Sequence, residues 1–197
     1  MMKKTTKIIR FVIYGILFSA IIFAFIYIGT YDFKKNNKSD NESVASKFSS
    51  LKKDNKFREV SLDEALKIIK NDGLILFANP KNKWADKYAY LLNEAAKESD
   101  IKSIAIIDVT ADRKQNSLKY QKLIKALDEY VIYDDLNNKN IYMPTFVIVK
   151  NKKIIYFDNE TAFHLGNAKF DEYWTPELEL TKKNILLDNI KEYLKDE

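Results

Sequence analysis

The sequence predicts an α/β fold in which helices cover both faces of a mixed β-sheet. Short runs of purely apolar residues alternate with longer segments that carry apolar residues at helical spacing, and such runs are typical of strands buried on both faces. Two further apolar runs, 145–149 and 154–157, flank a short polar turn and predict an antiparallel hairpin. The alternation indicates βαβ units with parallel strands, to which the hairpin adds an antiparallel part.

The predicted elements follow the order helix, strand, helix, strand, helix, strand, strand, helix. They cover residues 61–70, 74–78, 83–98, 103–109, 117–130, 145–149, 154–157 and 181–194. Ser61 and Glu64 have the spacing of a capping box, so we expect Ser61 to accept a hydrogen bond from the third amide of the first helix. Residues 134–140 are predicted to form a polar turn region. The last helix has two candidate starts, because Thr175 followed by Pro176 also forms a favourable N-cap.

Charge is distributed unevenly along the chain. The formal net charge is +5, but residues 1–38 hold seven basic residues and one acidic residue, so the rest of the chain sums to −1. Since a nucleic-acid-binding domain carries a basic face, this near-neutral part predicts no nucleic-acid partner. The chain has no cysteine and a single histidine, His164, which removes disulfides, thiolate nucleophiles and the usual zinc ligand sets. We therefore expect neither a metal nor a cofactor.

Residues 11–31 are predicted to form a transmembrane signal anchor. This run of 21 residues carries no charge and, at about 1.5 Å per residue, is long enough for the roughly 30 Å of a bilayer's hydrocarbon core. A cleaved signal peptide would have a shorter apolar region of about 7–15 residues, followed by a site of small residues, so the sequence favours the uncleaved anchor. The basic segment 1–10 predicts a cytoplasmic N-terminus and an extracellular domain.

The rest of the chain is predicted to consist of a linker and one domain. Residues 32–56 are polar and rich in serine and asparagine, a composition typical of a flexible tether. Apart from the transmembrane helix, all the predicted helices and strands lie within residues 57–197. We therefore expect a single folded domain over 57–197, connected to the anchor by the flexible linker 32–56.

Three segments of this domain carry a resemblance to a known family, namely 77–96, 101–113 and Met143-Pro144-Thr145 with the hairpin after it. They resemble thioredoxin-like domains, and among these the membrane-anchored bacterial proteins whose active-site motif is Cys-Pro-Trp-Cys. The resemblance covers residues 57–197. It implies a three-layer α/β/α sandwich around a mixed sheet, here preceded by one transmembrane helix, and it places the motif on Asn82-Lys83-Trp84-Ala85.

This chain lacks both cysteines of the family's motif, which determines the chemistry that we expect of it. In the family, the first cysteine lies at a helix N-terminus, where its thiolate is stabilised and attacks a substrate disulfide. Asn82 and Ala85 occupy the two cysteine positions here, and Leu76 replaces the buried aspartate that many thioredoxins carry on the preceding strand. The resemblance therefore implies a domain without redox activity, in which Asn82 caps the helix in place of the thiolate.

The resemblance also implies a contact surface between Asn82–Ala85 and the loop that contains Met143 and Pro144. The peptide bond before Pro144 is expected to be cis. In the family this loop pairs its backbone with an extended peptide, and the alternative is that the loop only defines the fold. Trp84 is expected either to be an exposed contact residue or to cover an edge of the domain.

These expectations define one leading function and two alternatives. The leading function is that of a membrane-tethered, non-enzymatic thioredoxin-like domain that binds a protein partner or an extended polypeptide at the cell surface. The first alternative is a thiol–disulfide oxidoreductase relative that works with thiols supplied by a partner. The second is a structural subunit of a membrane complex that acts through its transmembrane helix.

Overall fold

The computed structural model describes residues 41–134, 136–164 and 168–195. Its helices are α1 at 41–47, α2 Leu62–Lys70, α3 Lys83–Glu98, α4 Thr110–Gln115, α5 Leu118–Ala126, α6 Phe170–Tyr173 and α7 Pro176–Leu194. Its strands are β1 Phe57–Glu59, β2 Gly73–Phe77, β3 Ile104–Ile107, β4 Ile132–Tyr133, β5 Lys139–Asn140, β6 Thr145–Lys150 and β7 Lys153–Asp158. A 3₁₀-helix at Glu160–His164 follows β7.

Five strands form one mixed sheet in the order β1-β3-β2-β6-β7. Strand β3 pairs in parallel with both β1 and β2, whereas β6 is antiparallel to both β2 and β7. The three central strands are almost wholly buried, which agrees with their continuous apolar sequences. The prediction of an α/β fold with a mixed sheet is thus confirmed.

Helices lie on both faces of this sheet. Helices α3 and α7 pack against each other on the face that carries Leu74, Leu76 and Phe146. Helices α2 and α5 pack together on the opposite face. Strand side chains alternate between faces, so each central strand supplies apolar residues to both cores.

The predicted bounds agree with the structure for helices whose caps and apolar residues lie within one short segment of the sequence. Helix α3 begins and ends at the predicted residues, and α7 begins at Pro176 with Thr175 as its N-cap. The prediction missed β1, α4 and α6, which are short and have no amphipathic repeat of their own. The predicted polar turn at 134–140 overlaps a small hairpin, because β5 pairs with β4.

The prediction of a flexible linker over 32–56 is wrong for its described part, residues 41–56. Val44, Phe48 and Leu51 are 1–7% exposed and belong to the core beneath α3. Val44 lies in α1, and Phe48 and Leu51 follow it four and seven residues later, a spacing that the polar composition of the segment concealed. Ser50 fixes the segment further, since its backbone amide donates to the Asp86 carboxylate on α3 at 3.1 Å.

The predicted transmembrane segment 11–31 lies outside the described residues, as does the basic segment 1–10. In the ranges that are described, no helix is both long enough and apolar enough to cross a membrane.

Replacing Phe48 with alanine tests whether residues 41–56 belong to the folded domain. Phe48 is 4% exposed, and removal of a buried phenylalanine side chain costs about 3–5 kcal/mol. We expect Phe48→Ala to lower the free energy of unfolding of the full-length chain by about this amount, measured by urea denaturation with tryptophan fluorescence. The exposed Lys53 is the control, and its alanine variant should unfold within about 0.5 kcal/mol of the wild type. Equal stability of the two variants would contradict the conclusion that residues 41–56 belong to the folded domain.

Candidate functional site

Two loops meet at one edge of the sheet because of the pairing between β2 and β6. Phe77, the last residue of β2, pairs with Thr145, the first residue of β6. The chain that leaves β2 leads to the start of α3, and the chain that enters β6 carries Pro144. The register therefore brings the predicted site residues Asn82–Ala85 and Met143–Pro144 to the same edge of the molecule.

Asn82 caps helix α3, as the sequence predicts. Its backbone is extended, and its side-chain oxygen accepts a hydrogen bond from the Trp84 amide at 2.9 Å. Such a bond satisfies one of the amides that lack a partner at the start of a helix. The Lys83 side chain is exposed and lies with Nζ 4.6 Å from the centroid of the Phe170 ring.

Trp84 is buried rather than exposed. Only 3% of its surface is accessible, and Ala85 is wholly buried. The expectation that Trp84 forms an exposed contact is therefore wrong, and its side chain instead packs inside the domain. The reason is that the start of α3 is covered by a later part of the chain.

Three aromatic residues of a single segment provide this cover. The ring centroids of Phe170, Tyr173 and Trp174 lie 5.3, 5.1 and 6.4 Å from that of Trp84. Aromatic pairs at these distances contribute about 0.5–1.5 kcal/mol beyond the area they bury. This segment was not predicted to belong to the core, although its three aromatic residues within five positions are typical of buried segments.

The loop before β6 combines a cis peptide bond with one residue, Met143, whose backbone makes no hydrogen bond within the described residues. The Met143–Pro144 bond is cis, as the resemblance implies. The Met143 side chain is 6% exposed, yet neither its amide nor its carbonyl makes a hydrogen bond within the described residues. Since nearly all buried backbone groups in proteins are paired, the polar groups of Met143 are candidates for pairing with a ligand backbone.

An aromatic pair flanks this loop. The ring of Tyr142 stacks on that of Phe163, with centroids 6.2 Å apart and an interplanar angle of 22°. Phe163 is 48% exposed, so part of its side chain is accessible. Sequence analysis did not single out either residue, because the 3₁₀-helix that carries Phe163 has no periodic signature.

A buried group of charges links β7, α3 and α7. Lys182 Nζ lies 3.1 Å from Asp158 Oδ2 and 2.6 Å from Glu160 Oε2. The hydroxyls of Tyr88 and Tyr156 donate to the same Asp158 oxygen at 2.8 and 3.2 Å. The side chains of Lys182 and Asp158 are only about 5% exposed, so this ion pair is isolated from solvent. Within the described residues, the charges of Lys182 and Asp158 are compensated by each other and by their hydrogen-bond partners. The pair therefore offers no free charge to a ligand.

The surroundings of this ion pair raise three pKa values. Desolvation alone would lower the pKa of Lys182, but the carboxylates of Asp158 and Glu160 outweigh it and raise that pKa above its ordinary value. Desolvation and the Asp158 charge raise the pKa values of Tyr88 and Tyr156. Lys182 is therefore cationic and both tyrosines are neutral at physiological pH, which leaves none of them activated as a nucleophile or base.

No protein-family model matches the chain, and no curated protein matches it. Within the ranges that the structure describes, no group of three or more metal-ligating side chains is close enough to hold an ion. The function of this edge must therefore be inferred from its own geometry.

Changing Asn82 tests the capping of α3. We expect Asn82→Ala to lower the free energy of unfolding by about 0.5–2 kcal/mol, because the Trp84 amide loses its acceptor. Asn82→Asp keeps an acceptor and adds a negative charge at a helix N-terminus, so its stability should equal or exceed that of the wild type. Urea denaturation measures both variants. An equal loss in both would show that the contribution of Asn82 is not that of a cap.

Adjacent lysines on α7 provide a matched test of the buried ion pair. Lys182→Met leaves Asp158 buried and uncompensated, and should cost about 3–5 kcal/mol. Lys183 forms a more exposed pair with Glu98 at 2.7 Å, so Lys183→Met should cost at most about 1 kcal/mol. Both are measured by urea denaturation at neutral pH. Similar losses in the two variants would contradict the assignment.

The raised pKa values also predict how stability depends on pH. A group whose pKa is raised on folding stabilises the protein fully below its unfolded value and ceases to do so as the pH rises through the folded value. For Lys182, Tyr88 and Tyr156 the ordinary values are 10.5, 10.0 and 10.0. We expect the free energy of unfolding to fall above about pH 10, and to fall less steeply in Tyr88→Phe. An unchanged slope in that variant would contradict the expectation.

Proposed function

We propose that the chain is a membrane-tethered, thioredoxin-like domain without redox activity that binds an extended segment of a protein partner at the cell surface. The observation that carries this proposal is the backbone of Met143, which has no hydrogen-bond partner within the described residues and precedes Pro144 at the end of the sheet where α3 begins. The anchor at 11–31 would hold the domain at the membrane, with the N-terminus in the cytoplasm. The proposal assigns no enzymatic activity and no cofactor to the chain.

The order of strands and helices supports the thioredoxin-like part of this proposal. The five-stranded order β1-β3-β2-β6-β7, with helices on both faces, is compatible with that fold. The cis bond before Pro144 and the capped start of α3 occupy the positions that the resemblance implies. In such a domain the absence of cysteine removes the group that would carry out thiol–disulfide exchange.

The geometry of the Pro144 loop supports polypeptide binding. Met143 precedes a central strand, but its amide and carbonyl make no hydrogen bond within the described residues, so both can pair with the backbone of an extended peptide. The exposed ring of Phe163, stacked on Tyr142, offers an apolar surface beside these groups. Backbone pairing supplies affinity that is independent of sequence, and side-chain contacts select among peptides. Trp84 and Ala85 contribute to this surface only indirectly, by holding the start of α3 in place.

Site-specific photo-crosslinking tests this surface. A photoreactive phenylalanine analogue replaces Phe163 in the full-length chain, in the cells that produce it. Leu180 on α7, which is 57% exposed, takes the same analogue as a control of similar accessibility. We expect ultraviolet light to produce discrete adducts with polypeptides from position 163 and not from position 180, because only the former lies beside the free backbone of Met143.

Two results would contradict the proposal. Equal adduct yields at positions 163 and 180 would show that Phe163 lies on an ordinary surface. Acceleration of insulin reduction by the purified full-length chain, in the presence of dithiothreitol and relative to dithiothreitol alone, would show a redox activity that the proposal denies. The two assays are independent, so the binding and the redox parts can fail separately.

A further inference from the structure

A polar cleft of about 710 Å³ lies next to the Pro144 loop. It is formed by α4, α5, the hairpin β4–β5 and the residues that lead to β6. Its lining consists of carboxamides, two tyrosines and three charged residues, with a single aliphatic side chain, and includes Arg113, Asn116, Tyr120, Asp134, Asn137, Asn138, Lys139 and Tyr142. Tyr142 directly precedes Met143, so the cleft begins one residue away from the unpaired backbone.

The charges that line the cleft are not equally available. Lys139 is paired with Asp128 at 2.5 Å. The Asp134 carboxylate accepts hydrogen bonds from the amides of Leu136 and Asn138 and from the Asn140 side chain, at 2.7–3.0 Å, so it holds the turn together. Lys139 and Asp134 therefore already have partners within the domain.

Arg113 is the cleft's available charge. Among the described residues it has no carboxylate partner, and its one hydrogen bond runs from Nη1 to the Ile141 carbonyl at 3.3 Å. That bond orients the guanidinium and leaves most of its donors free. A guanidinium with free donors binds a carboxylate through two parallel hydrogen bonds. Within the described residues, the cleft thus presents one positive charge that no carboxylate neutralises.

Carboxamides beside Arg113 match the remaining polar groups of a peptide. The side chains of Asn116, Asn137 and Asn138 make no hydrogen bond within the described part of the chain. Each carboxamide can donate and accept, which suits the alternating amides and carbonyls of an extended backbone. An extended chain advances about 3.3 Å per residue, so a peptide paired with Met143 would reach the cleft within a few residues.

We propose that this cleft binds a carboxylate side chain of the same polypeptide segment that pairs with the Pro144 loop, and that Arg113 is the residue that recognises it. The partner's bound segment is accordingly acidic on the side that faces α4 and α5. This inference rests on the proposed function, because it assumes that a polypeptide occupies the loop. It extends that function by assigning a charge preference to the partner.

Peptide arrays test the preference directly. The array carries matched pairs of decapeptides that differ only by glutamate or glutamine at one position, with that position moved along the peptide. The purified full-length chain should be retained about three- to tenfold more strongly by the glutamate member of a pair, the range expected for one partly exposed charge-assisted contact. Arg113→Gln should remove this preference and leave retention by the glutamine members unchanged.

Lys114 provides the matched control. It follows Arg113 in α4, is exposed and does not line the cleft, so Lys114→Gln removes the same charge and should keep the preference. Arg113→Lys keeps the positive charge but lacks the planar pair of donors. This variant should therefore keep part of the preference for glutamate. Circular dichroism checks that all three variants fold. If Arg113→Gln is unstable, a reduced glutamate preference in Arg113→Lys still tests the role of Arg113.

The outcomes separate the two proposals. Retention of both members of each pair without a glutamate preference, or a preference that survives in Arg113→Gln, would overturn the assignment of Arg113 and leave polypeptide binding intact. Displacement of the glutamate peptides by inorganic phosphate at equal concentration would assign the cleft to a small anion and also overturn it. Absence of retention by any peptide would overturn the proposed function together with this inference.

Discussion

The antiparallel pairing of β2 with β6 is the constraint on which the rest of this edge depends. The register that opposes Phe77 to Thr145 fixes where the chain leaves the sheet towards α3 and where it enters from the Pro144 loop. A slip of one residue would exchange the two faces of β6 and place each of its buried side chains in the opposite core. Because every residue of β2 from Leu74 onward and of β6 up to Val149 is buried, the packing on both faces specifies this register.

Two further interactions hold the start of α3 against the sheet from outside. The aromatic rings of Phe170, Tyr173 and Trp174 enclose Trp84, while the buried pair of Lys182 with Asp158 joins α7 to the end of β7. These contacts differ in character. The first gains stability from burial and ring geometry, whereas a buried ion pair costs desolvation and contributes mainly by fixing a particular arrangement of elements. The aromatic rings cover the start of α3, and the Tyr88 hydroxyl connects the same helix to Asp158 of the ion pair.

The sequence predicted those parts of the structure whose cause is local. Helix α3 was predicted to the residue because its cap at Asn82 and its apolar stripe lie within one segment. Strand β1 was missed because Phe57–Glu59 become a strand only by pairing with β3. The burial of Trp84 required the distant aromatic segment, and nothing in the sequence distinguishes Lys182 from the many exposed lysines. Residues 41–56 were misassigned because their composition is polar although their spacing is helical.

The two halves of the candidate site differ in how far the protein satisfies its own polar groups. At the start of α3, Asn82 already occupies the Trp84 amide, and the side chains of Trp84 and Ala85 are buried, so little remains there to bind a ligand. At Met143, the amide and the carbonyl lack partners within the described residues. Unpaired backbone groups gain more from a new partner than paired groups do. Under the proposed function, recognition therefore does not involve Asn82–Ala85 and instead involves Tyr142, Phe163 and the cleft that contains Arg113.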